Sequence, residues 1–140
     1  MPETTPSPDQ HALAEGHAFP WHECYVPDVD KAIDFYTNAL GMGTQKMEMP
    51  GMPPYTMLTH NGAAVCGIMS TSSAEMAPMN IPPHWAVYMN VDDVDARIAK
   101  VKSMGGSVVV EPMDIPTVGR MALIADPQGA HIWLFKPNPM

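Results

Sequence analysis

The sequence predicts an α+β fold built from two copies of one βαβββ module. Three observations predict it. The stretches Val26-Pro27-Asp28-Val29-Asp30 and Val91-Asp92-Asp93-Val94-Asp95 repeat one pattern, each leading from an apolar run into a helical period. Each helical period ends at glycine, at Gly41 and at Gly105-Gly106. After each come three runs of strand character separated by turn residues.

The elements follow in order. Residues 1–18 are polar, carry Pro2, Pro6 and Pro8 and show no period, so a flexible tail is expected there. Module one covers 19–69. It opens with a strand over Trp21–Val26, and Asp28 is placed to cap the free N–H groups of a helix. Val29, Ile33, Tyr36 and Leu40 recur at helical spacing and are expected to form its buried stripe. Strands are expected over Thr44–Met49, Tyr55–His60 and Ala63–Met69, with Asn61-Gly62 as a hairpin turn between the last two. Residues 70–83, rich in Ser, Met and Pro, read as a linker. Module two covers 84–137. It has a strand over Trp85–Val91 and a helix capped by Asp93, with Val94, Ile98 and Val101 buried. Strands follow over Ser107–Glu111, Arg120–Ala125 and His131–Lys136, with Asp126-Pro127-Gln128-Gly129 as the last turn. A half of this length buries little surface alone, so 19–137 is expected to act as one domain.

Composition excludes several classes. The net charge is −8, and the seven Lys and Arg are scattered, so a nucleic-acid or anionic-membrane partner is not expected. The run Met121–Ala125 is typical of the longest apolar stretches and is far short of the roughly 20 residues of a membrane helix. No leader pattern is readable, so the expected setting is cytoplasmic, with Cys24 and Cys66 reduced. Fourteen methionines suit a core or pocket lining better than copper handling, because they form no tight repeat.

Val26-Pro27-Asp28-Val29-Asp30-Lys31-Ala32-Ile33-Asp34-Phe35-Tyr36, Leu40-Gly41-Met42 and Asp126-Pro127-Gln128-Gly129-Ala130 carry a family resemblance. They resemble the vicinal oxygen chelate (VOC) superfamily of glyoxalases, bleomycin resistance proteins and extradiol dioxygenases. Pro83-His84-Trp85-Ala86-Val87-Tyr88, Gly105-Gly106 and Pro116-Thr117-Val118-Gly119-Arg120 are similar to a glyoxalase-like subgroup often labelled hydroxylase or antigen. The resemblance implies a curled mixed sheet around a cleft, a small-molecule ligand and a homodimer, to which Met76 and Met79 could contribute an apolar contact. Metal-dependent members place one His, Glu or Gln ligand on each of four strands. The matching positions here are Trp21, Cys66, Ala86 (or Trp85) and Trp133. An indole has no lone pair to give a metal without losing aromaticity, so no metal cofactor is expected. The alternative is a divalent transition metal at shifted ligands, His84, His131 and Glu23.

The site expected from this reading is a metal-free cleft. Trp21 and Trp133 would be its aromatic walls. Glu23, on Trp21's side of the strand, would be its polar anchor or general base, with Arg120 either clamping an anionic ligand or pairing with Glu23. Cys66, Tyr88, His84 and His131 would complete the lining, and Tyr55 is a second phenol that could reach a ligand. Two functions fit: binding of a small aromatic or apolar molecule, and a lyase, isomerase or dioxygenase type of enzyme using a shifted metal or Glu23 as base.

Overall fold

The structure is a computed structural model that describes residues 18–138 apart from 50, 74, 75 and 117. The expected tail, Ala18 excepted, lies outside the described residues. Among the described residues the strands are β1 (Trp21–Val26), β2 (Gly43–Met49), β3 (Met52–His60), β4 (Ala63–Ser70), β5 (His84–Asn90), β6 (Ser107–Ile115), β7 (Gly119–Ala125) and β8 (His131–Pro137). The helices are α1 (Val29–Leu40) and α2 (Val94–Ser103). Each half thus has the βαβββ order that the repeat predicts. Among the described residues of the 70–83 stretch, Ala77–Met79 form a 3-10 turn.

The chain divides into two compact units, one over 22–85 and one over 86–138 together with 18–21. In the first, the strand order is β2-β3-β4-β1, with β1 and β4 parallel and the other pairs antiparallel. The second repeats this as β5-β8-β7-β6, with β5 and β8 parallel.

Local chemistry explains the ends. Asp28 Oδ1 accepts the Lys31 N–H at 3.0 Å, and Asp93 Oδ1 accepts that of Ala96 at 3.0 Å. Both are the side-chain caps that the repeat placed there. Asn61 and Gly62 take φ of 52° and 82°, the pair of positive angles a two-residue hairpin needs to follow strand twist. Asp126 Oδ1 accepts the N–H groups of Gln128 (2.8 Å) and Ala130 (3.0 Å), which closes the last turn. Those donors hold its carboxyl below the ordinary range.

Each helix covers one face of its own sheet. Under α1 lie Cys24, Ala32, Leu58, Cys66 and Ile68, with Val29, Ile33 and Tyr36 packed against them. Leu40 departs from the expected stripe and is exposed, because it falls in the last turn beyond that cluster. Under α2 lie Val94, Ile98, Ala122, Ile124 and Leu134, joined by Val101 as expected. The helix-free face of each sheet carries the alternate residues, and most of the candidate site residues are among them.

Candidate functional site

The site in the first unit is built by strand alternation. Cys24 points under α1, so Glu23 and Tyr25 point to the helix-free side of β1. Glu23 pairs in register with Gly67 of β4, and Gly67 with Met57 of β3. Two residues from Met57 on the same side of β3, Tyr55 reaches across Gly67, and its hydroxyl donates to Glu23 Oε2 at 2.5 Å. Gly67 makes the contact possible, since a Cβ there would overlap the Tyr55 hydroxyl and lie 2.5 Å from Glu23 Oε2. Glu23 is 5% exposed and Tyr55 half-buried. Burial pushes the Glu23 carboxyl up to about 8, against a smaller downward pull from the phenol. Glu23 is therefore mainly a neutral carboxylic acid at pH 7.

Farther along β1, Tyr25 stacks on His84, with ring centroids 5.0 Å apart and planes 11° apart. His84 is exposed, and its Nδ1 lies 2.7 Å from the Pro82 carbonyl oxygen. On the α1 side Trp85 donates its indole N–H to Tyr36 Oη at 3.1 Å.

In the second unit Ile132 and Leu134 pack toward α2, so Trp133 stands on the opposite side of β8. It is in register with Tyr88 of β5, and the two rings stack with centroids 5.4 Å apart and planes 9° apart. Trp133 (9% exposed), Tyr88 and Ala86 are all buried. His131, at the start of β8, is exposed, and its Nδ1 lies 3.0 Å from the Gly129 carbonyl. Trp21, at the start of β1, is also buried. A shallow apolar groove of about 310 Å³ runs beside α2, with Met89, Val101, Met104, Ile124, Pro127 and Leu134 in its lining. It holds none of the site residues expected from the sequence.

Two expectations are corrected. Arg120 does not pair with Glu23. It lies on the same side of β7 as Ala122 and Ile124, which face α2, so its guanidinium reaches Asp95 in the first turn of that helix, at 2.9 and 3.0 Å. It also lies 3.1 Å from Asp114. Cys66 does not share Glu23's side. Gly67 takes that place in register, so its neighbour Cys66 turns into the α1 core beside Cys24. Burial, then the charges of Glu23 and Cys24, push its thiol up to about 12, where it is not a nucleophile.

Sequence reasoning named Tyr55 without its partner and missed Gly67 and Tyr25. The Gly67 signal was a glycine inside a strand pattern, which marks close approach of another group.

Two duplicated units of this topology, each with one helix on one face of its sheet, define a VOC-type fold. The chain belongs to the glyoxalase/bleomycin resistance protein/dioxygenase superfamily, whose model matches residues 16–134. It is similar to the protein of Mycobacterium tuberculosis named glyoxylase CFP32, with 41% identity over 120 residues, covering 85% of this chain and 44% of that protein. It is also similar to the anthracycline biosynthesis protein DnrV of Streptomyces peucetius, with 33% identity over 129 residues, covering 86% of this chain and 47% of that protein. The chain thus spans less than half the length of these relatives. Among solved structures it shares the fold of methylmalonyl-CoA epimerase from Mycobacterium tuberculosis, with a TM-score of 0.60 at 23% identity over 90% of this chain and 91% of that one.

Members of this superfamily are often metal-dependent, and the four positions that the resemblance assigns to ligands can be tested by their donors. Trp21 and Trp133 offer indoles, the third position offers nothing at Ala86 or another indole at Trp85, and Cys66 is turned into the helix-side core with a thiol held neutral. This donor set does not fit a divalent metal. Among the described residues, no three His, Cys, Asp or Glu side chains form a group that could hold a metal ion. Likewise, no helix among them is long and apolar enough to cross a membrane.

Proposed function

We propose that this protein binds a small aromatic or apolar molecule against the helix-free sheet faces, without the four-ligand metal centre common in its superfamily. The observation that carries this reading is the stack of Trp133 on Tyr88, an indole where the family resemblance would place a metal ligand. An aromatic surface of this kind holds a flat ligand by stacking. Glu23 and Tyr55 supply a polar anchor in otherwise apolar surroundings. The raised pKa of Glu23 supports a second reading, in which the same residue serves acid–base chemistry of a lyase, isomerase or dioxygenase type.

Titration of intrinsic Trp fluorescence with benzoate, indole and 2-naphthol tests the binding. A saturable change with at least one of them is expected, and only linear, non-specific quenching with all three would reject it. The metal-free part has its own test. Ni²⁺, Zn²⁺ or Mn²⁺ should leave the melting temperature nearly unchanged, since an ion bound to the native state would stabilise it by RT ln(1 + [L]/Kd). One transition-metal ion per chain in elemental analysis of purified protein would overturn this part.

The reading takes 19–137 as one domain, pairs it as a homodimer and places it in the cytoplasm, with no nucleic-acid or membrane partner. Free Cys24 and Cys66 suit a reducing compartment, and exposed Met79 suits an apolar contact with a second copy. Sedimentation should give twice the 15.2 kDa chain mass, and a monomer at every workable concentration would reject the pairing.

A further inference from the structure

The α1 side of the first unit carries three neighbouring rings that the proposed ligand surface does not use. Phe35 and Trp85 are 56% and 47% exposed, while Tyr36, which both of them touch, is partly buried against the α1 core. Tyr36 meets Phe35 at close to a right angle, with ring centroids 5.1 Å apart and planes 85° apart. It meets Trp85 in the same way, at 5.4 Å and 89°. Hydrogen bonds fix the arrangement. The Trp85 indole N–H donates to Tyr36 Oη at 3.1 Å, and the Tyr36 hydroxyl also bonds the buried Cys24 thiol. The indole is thereby held at the surface. Single exposed apolar residues are ordinary, but rings in mutual contact make a patch of the kind that marks a binding site.

Perpendicular rings form a corner, and a group seated in it meets two π faces at once. Those faces are electron-rich, so the corner attracts a cation. The charge around it has the matching sign. Helix α1 carries Asp30 and Asp34 against one basic residue, Lys31, and Asp34 directly precedes Phe35. Its last turn holds no Lys or Arg, whereas that of α2 holds Lys100 and Lys102. The negative end of the α1 dipole is thus unmatched by a cation of its own helix.

We propose that Phe35, Tyr36 and Trp85 form a surface site for the quaternary ammonium group of a small molecule. A primary ammonium is strongly hydrated, and stripping its water is costly. A quaternary one carries its charge under a shell of alkyl groups. It therefore meets half-exposed rings with little desolvation, and gains π attraction and apolar contact together. The site lies on the α1 side of the sheet and does not rest on the ligand-binding reading of the helix-free faces.

The test follows the indole N–H signal of Trp85 by nitrogen-15 NMR in the full chain. Trp21 and Trp133 are buried and serve as internal references. Choline is compared with 3,3-dimethylbutan-1-ol, a neutral molecule of the same shape, at constant ionic strength. A saturable shift of the Trp85 signal is expected with choline, at a Kd about fivefold below that of the alcohol. Phe35→Leu keeps apolar bulk at an exposed helix position and removes one π face, so it should cut this preference by at least half. The comparison of the two probes in the unaltered protein holds whatever the stability of that variant. Equal affinity for choline and the alcohol would overturn the site, as would choline shifting Trp21 or Trp133 but not Trp85. No saturable shift with choline, or a preference unchanged in folded Phe35→Leu, would overturn it too.

Discussion

Trp133→Ala is expected to destabilise the protein by about 3–5 kcal/mol. Trp133 is 9% exposed, and its ring lies on Tyr88, a second buried ring. Truncation removes the stack and leaves a void bounded by Tyr88 and, across the β7–β8 register, by Leu123. Neighbouring strands cannot close on that void without breaking ladder hydrogen bonds, so relaxation recovers little. Trp133→Phe keeps a ring over Tyr88 and should cost well under half as much. Urea unfolding reads the effect as a shift in midpoint at constant m. The same variant separates two roles of the indole. A folded Trp133→Ala protein that has lost ligand binding makes Trp133 a binding wall. One that unfolds readily yet binds normally when folded makes it a purely structural residue, and the ligand surface proposed above loses its main member.

Stability should fall as pH rises from about 4.5 to about 8, and Glu23→Gln should flatten this dependence. The carboxyl has an ordinary value of 4.5 and is raised to about 8 in the folded protein. Between these values the folded state holds a proton that the unfolded state has released, so raising the pH favours unfolding. The contribution is fully present below pH 4.5, is lost progressively to about pH 8, and is constant above. Its full size is roughly 4–5 kcal/mol, with most of the loss complete by pH 8. Glu23→Gln retains the shape and a hydrogen-bonding partner for Tyr55 without titrating. It should therefore gain on the parent protein as pH rises, by several kcal/mol at pH 9. Paired urea titrations at pH 5, 7 and 9 measure this. Parallel curves for the two proteins would mean that Glu23 ionises alike in the folded and unfolded states.

Asp92 and Asp95, by contrast, sit at the solvent-exposed start of α2. The Arg97 and Arg120 guanidiniums beside them hold their carboxyls below the usual range. Those pairs oppose the trend only at acid pH, so they do not mask the loss between pH 5 and 8.

The βαβββ repeat is legible along the chain because its signals are local. Asp28 and Asp93 cap the N–H groups three residues on, Asn61-Gly62 supplies two positive φ angles in succession, and Asp126 closes its own turn. Alternation within a strand also determined that Glu23 points away from Cys24 and that Trp133 points away from Leu134. Tertiary structure alone decided which alternating set meets which. The period of two says that Gly67 and Cys66 face opposite ways, but only the β1–β4 register puts Gly67, not Cys66, beside Glu23. Pairing of Glu23 with Tyr55, 32 residues away, depends further on β3 lying against β4 with a register shift between Leu58 and Thr59. Arg120 read either as a clamp for an anionic ligand or as a partner of Glu23. The parity that Arg120 shares with Ala122 and Ile124 turned it to Asp95 on α2 instead. Spacing along a chain sets the side a residue takes within its own strand. The register between strands, set by hydrogen-bonded ladders and their bulges, selects its partner, and for Glu23 that partner was a phenol that leaves a buried acid neutral.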